Sequence, residues 1–112
     1  INKTMKKNSE IIDKIFDVIN NRKKTDSNSY VAQLKKSGIS TISQKLGEES
    51  IETIIAALQK DKDQVIKESA DLIFFLLVLL SELKIKPEEI YDELYKRKGI
   101  SGIDEKKNRD LE

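Results

Sequence analysis

The chain has 112 residues, 37% of them charged, with 21 Lys and Arg against 20 Asp and Glu and a formal net charge of +1. That length fits one domain around one core, burying roughly two thirds of the unfolded chain's surface, and the balanced charge supplies no global field to attract nucleic acid. Cysteine and histidine are both absent, which excludes disulfides, thiolate metal sites, cysteine nucleophiles and the imidazole that most often serves as general base or zinc ligand.

Any metal must therefore sit among oxygen ligands, which suit Mg²⁺, Mn²⁺ or Ca²⁺. The lack of cysteine is compatible with a reducing cytoplasm, the expected location. The longest apolar run, Leu72 to Leu80, is too short to cross a bilayer. The lysine-rich start carries no signal-peptide pattern. No membrane and no nucleic-acid partner are expected, and a first residue of Ile1 leaves an upstream fusion open.

Residues 1–8 carry no periodic pattern and are expected to form a flexible segment. From Ser9, which can cap, Ile11, Ile12, Ile15, Phe16 and Ile19 follow three-four spacing and predict a helix ending near Lys24. Thr25 to Ser29 is a polar turn cluster, followed by a short helix over Tyr30 to Ser37 that Gly38 can close in a left-handed cap. A long helix is predicted from Ile39 to Gln59, with Gly47 in its interior at a cost of ~1 kcal/mol relative to alanine. Close approach of another backbone or a ligand would explain that glycine.

Asp61-Lys62-Asp63 predicts a tight turn, with Asp63 capping a second long helix from Gln64 to Leu83. Its Leu72 to Leu80 segment is apolar all the way round and needs cover on every side. That predicts a homodimer. Pro87 opens a last helix with Glu88 and Glu89 at its positive end and Lys96, Arg97 and Lys98 at its negative end, and Gly99 stops it. Residues 9–98 thus form the helical domain and 99–112 a polar tail. The fold class expected is all-α, a bundle of four to five helices completed by dimerisation. The lysines near residues 6, 23 and 35 read as solubilising surface.

Two acidic pairs stand out on the two long helices. Residues three apart share a helix face, so Glu49 pairs with Glu52 and Glu68 with Asp71. The second pair continues into Leu72, Phe75 and Leu79, an apolar stripe, so these acids are carried inward. A carboxylate there must be neutral, paired with a cation or bound to metal. Spacing alone equally allows a solvated face of surface ion pairs.

Further stretches narrow the choice. Ser29-Tyr30-Val31-Ala32-Gln33-Leu34, Gly38, Ile42-Ser43-Gln44-Lys45-Leu46-Gly47-Glu48-Glu49, Glu52, Glu68-Ser69-Ala70-Asp71-Leu72 and Leu76 to Leu80 resemble the phosphoribosyl-ATP pyrophosphohydrolase family. Gly99-Ile100-Ser101-Gly102-Ile103 with Glu105-Lys106 and Arg109 resembles a tail of some members. The resemblance implies a dimeric helical enzyme of histidine biosynthesis that releases pyrophosphate from phosphoribosyl-ATP, in a family often fused to phosphoribosyl-AMP cyclohydrolase. It implies Mg²⁺ on Glu49, Glu52, Glu68 and Asp71, with Glu48 as a further candidate ligand, and Mn²⁺ suits the same oxygens.

Glu48 is then a candidate base for the attacking water, and Lys45, one turn before Glu49, can neutralise phosphate or hold a carboxylate. Ser29, Tyr30 and Arg97 are candidate substrate contacts, although a helix cap and a packed aromatic also explain the first two. Two other functions stay open at this stage. One is a pyrophosphohydrolase for another nucleoside triphosphate, dUTP-like or housekeeping, and the other is a helical dimerisation module without catalysis.

Overall fold

The computed structural model describes residue 8 and residues 10–99. Their regular structure is entirely helical, in five elements: α1 (Glu10–Asn21), α2 (Tyr30–Ser37), α3 (Ile39–Leu58), α4 (Lys62–Glu82) and α5 (Pro87–Arg97). The long helices α3 and α4 form a hairpin, and one end of it carries the rest: α1 packs on α4, α2 on both long helices, and α5 on α1. The core lies at that end, where Phe16, Ile19, Leu34, Ile42, Phe75, Leu77, Val78 and Leu80 are buried together. Each such side chain contributes ~1.5–3 kcal/mol by leaving water.

Local chemistry sets the helix ends. Asn8 begins α1, its Oδ1 accepting from the Glu10 amide at 2.9 Å and its carbonyl from the Ile11 amide at 3.0 Å; the capping expected of Ser9 lies outside the described residues. α1 stops at Asn21 rather than Lys24, because the Asp26 carboxylate accepts from the Lys23 amide at 2.9 Å and draws the chain into a turn. Ser29 Oγ caps α2 by accepting from the Ala32 amide at 3.1 Å. Gly38, at φ 94°, donates to the Leu34 and Lys35 carbonyls and at once begins α3. Its left-handed φ suits glycine.

The hairpin turn falls at Gln59 and Lys60, with Lys60 at φ 56°, earlier than expected. Asp61, not Asp63, caps α4, its side chain accepting from the Gln64 amide at 3.2 Å. Asp63 lies instead in the first turn, where a negative charge favours the helix dipole. Pro87 opens α5 as predicted, the Glu89 carboxylate accepts from the Lys86 amide at 3.0 Å, and Gly99 follows the helix at φ 79°. The Tyr91 hydroxyl donates to Asp13 Oδ1 at 2.8 Å and ties α5 to α1. The flexible ends expected at 1–8 and 99–112 fall, but for Asn8 and Gly99, outside the described residues.

One lysine departs from its expected place on the surface. Lys35 is only 5% exposed, and its Nζ donates to the Arg22 carbonyl at 2.8 Å, meeting an oxygen left open beyond the end of α1. Burial pushes its pKa below the usual lysine value, and the Glu82 charge pushes back. Lys23 is exposed as expected.

The chain does not cover its own apolar surface. Ile73 and Leu76 of α4 stay exposed, as do Ile51, Ile54, Ile55, Leu58 and Ile66 toward the hairpin turn, Leu58 to 78%. No helix among the described residues is long and apolar enough to cross a membrane.

Candidate metal centre

Antiparallel pairing of α3 and α4 brings the middle of one against the first half of the other. Glu49 of α3 meets Glu68 and Asp71 of α4 there, each offering a carboxylate oxygen, all three within 4.8 Å of one another. Glu49 and Glu68 are half-buried and Asp71 is exposed, so the cluster sits in an open-sided cleft rather than deep inside. Asp71 and Glu52, both exposed, depart from the expectation that these acids are carried inward.

Glu49 carries the unmet oxygen of the group. Its Oε1 is occluded from solvent with no hydrogen-bond partner among the described residues. Burial, the close Glu68 carboxyl and the charges of Glu52, Glu68 and Asp71 raise its pKa from 4.5 to about 7. An orphaned carboxylate oxygen beside two more carboxylates is electrostatically unfavourable unless a proton or a cation joins them. The donor set is all oxygen, which suits a hard divalent ion. On both counts the residues fit a metal.

Glu52 stands apart from this trio. It is exposed, outside the 4.8 Å cluster, and near enough to Glu68 that the Glu68 charge is the main cause of its raised pKa. Glu48 points to the solvent side of α3, where its Oε2 accepts from Gln44 Nε2 at 3.1 Å. Lys45 is half-buried one turn before Glu49, and no described residue forms a hydrogen bond or ion pair with it. The expected alternative of a Lys45–Glu49 pair therefore does not form.

The remaining candidates lie on other helices. Ser29 is buried and serves as the α2 cap. Tyr30 stacks on Phe74 of α4, ring centroids 6.3 Å apart and planes 14° from parallel, yet remains 51% exposed. Arg97 ends α5, its Nε 3.0 Å from the Glu93 carboxylate. Gly47 has nothing within 4 Å of where a Cβ would stand, so no described part of the chain accounts for it. A concavity of about 450 Å³ lined by Asp13, Phe16, Asp17, Asn20, Lys86, Pro87 and Glu88 holds none of the four acids.

Sequence reasoning passed over Gln64, whose Nε2 donates to Glu68 Oε2 at 2.6 Å. The signal was present in its spacing, one turn before Glu68 on the same face. Thr53 and Ser50 were also passed over. Their hydroxyls donate to the Glu49 and Leu46 carbonyls at 2.7 and 2.9 Å, tying their side chains to the α3 backbone that carries the acids.

Residues 10–98 match the family described as phosphoribosyl-ATP pyrophosphohydrolase. A relative from Paramagnetospirillum magneticum is 45% identical over 94% of this chain and 97% of its own length. Another from Geotalea daltonii is 47% identical over 92% and 98%, and one from Novosphingobium aromaticivorans 46% over 89% and 94%. All three are named phosphoribosyl-ATP pyrophosphatase. With the match running through all five helices, the chain belongs to the phosphoribosyl-ATP pyrophosphohydrolase family.

Proposed function

We propose that this protein hydrolyses phosphoribosyl-ATP to phosphoribosyl-AMP and pyrophosphate, the second step of histidine biosynthesis, as a cytoplasmic homodimer that uses Mg²⁺ or Mn²⁺. The observation that carries the reading is the convergence of Glu49, Glu68 and Asp71 from two helices in a chain of this family. Phosphoribosyl-AMP cyclohydrolase, which takes the product, is the expected functional link.

The products place cleavage in the anhydride between the α and β phosphates. Water adds its oxygen to one of these two phosphorus atoms, the bridging oxygen leaves on the other with the bonding pair, and the water's proton must be taken up. Glu49, Glu68 and Asp71 would hold the cation, with Glu52 at the rim. When bound, the cation supplies positive charge between these carboxylates and the polyphosphate. Glu48, fixed at Oε2 by Gln44, keeps Oε1 to accept the proton. Lys45, unpaired among the described residues, brings an ammonium to phosphate.

Tyr30 keeps an open ring surface to meet substrate, held by its stack on Phe74. Ser29 contributes by setting the start of α2, and Arg97 is assigned to substrate across the dimer. The exposed stripe Ile51, Ile54, Ile55 and Leu58 with Ile66 and Ile73 supports the dimer, since two such hairpins cover each other's apolar faces. The test is pyrophosphate release with Mg²⁺ from phosphoribosyl-ATP against a panel containing dUTP and other triphosphates. Preference for phosphoribosyl-ATP is expected, and preference for dUTP would overturn the assignment.

A further inference from the structure

Gln64 is an exposed residue on the first turn of α4, where packing demands nothing of it. Its side chain is nonetheless bound: Nε2 donates to Glu68 Oε2 at 2.6 Å. The same arrangement recurs on α3, where Gln44 Nε2 donates to Glu48 Oε2 at 3.1 Å. In each acidic stretch a glutamine one turn earlier holds a glutamate.

The consequence differs between the two helices. Glu48 stands outside the three-carboxylate cluster, whereas Glu68 is one of its members. A glutamate has three side-chain torsions, and fixing them costs entropy that a bound cation must otherwise offset. A hydrogen bond to one oxygen narrows that freedom beforehand and leaves the other oxygen open to a ligand. A neutral amide suits the task because it adds no charge to compete with a cation.

We propose that Gln64 is a positioning residue of the divalent-cation site, holding Glu68 Oε2 so that the carboxylate is set for the ion before it arrives. This rests on the metal reading given above. Partners of metal ligands of this kind affect affinity by ~10–100-fold when lost. Gln64→Met keeps length and helix propensity but removes both N–H donors.

The experiment measures the dissociation constant for Mn²⁺ by electron paramagnetic resonance, in wild type and Gln64→Met, with melting followed in EDTA. Wild type should bind Mn²⁺, and Gln64→Met should bind it about tenfold more weakly while melting in EDTA as wild type does. A weakening below threefold overturns the role of Gln64 while leaving the metal reading intact. A lowered melting point in EDTA makes Gln64 a structural residue and also overturns it. Failure of wild type to bind Mn²⁺ overturns both.

Discussion

Glu49 on α3 and Glu68 on α4 approach each other across the hairpin with carboxylate oxygens within 4.8 Å, and Asp71 completes the group. Like charges so close repel, and the occluded Glu49 Oε1 has no partner among the described residues. The fold therefore holds a local instability that a cation would relieve.

Glu68→Gln should keep the fold and lose the ion. Because losing a mere partner of a ligand costs ~10–100-fold, losing the ligand is expected to lower Mg²⁺-dependent pyrophosphate release by about 100-fold or more. Mg²⁺ should also stop raising the melting temperature. A variant with wild-type turnover and wild-type Mg²⁺ stabilisation favours the dimerisation-module reading.

The Glu49 pKa gives a pH dependence with a definite sign. Raised from 4.5 to about 7, it means the folded, cation-free protein binds a proton that the unfolded chain releases. Its contribution to stability is fully present below about 4.5 and lost as pH rises through about 7. Melting in EDTA should therefore decline from pH 5 to 8 more steeply in wild type than in Glu49→Gln. Parallel curves for the two proteins would contradict this.

Lys35→Ala should destabilise the chain although lysine is ordinarily a surface residue. The truncation removes the 2.8 Å hydrogen bond to the Arg22 carbonyl, at ~0.5–1.5 kcal/mol, together with the packing of the buried lysine stem. Urea denaturation checks it, with an unchanged midpoint as the contrary result.

These residues also show what could be read before the fold was known. The α2 bounds were legible because Ser29 and Gly38 are strong local signals at both ends. The α4 start was misplaced because Asp61 and Asp63 are both good caps, and local sequence does not choose between them. The Lys35 contact was invisible, since its acceptor lies on another element and only packing brings it near. The acidic pairs were legible from spacing, but helix phase across the hairpin was not, and that phase admits Glu49 to the cluster and leaves Glu52 outside.

The exposed stripe on the hairpin predicts the assembly. Ile54→Glu adds a charge to the face formed with Ile51, Ile55 and Leu58, and desolvating that charge is costly. Sedimentation equilibrium should show a dimer for wild type and a monomer for the variant. A wild-type monomer would contradict the dimer, and an undisturbed variant dimer would place its interface elsewhere.

Anomalous diffraction at the manganese edge from crystals soaked in Mn²⁺ tests the central claim most directly. The prediction is a peak within ~2.0–2.6 Å of carboxylate oxygens from Glu49, Glu68 and Asp71 together. The contradicting result is a map with no peak among those oxygens while Mn²⁺ supports pyrophosphate release in solution.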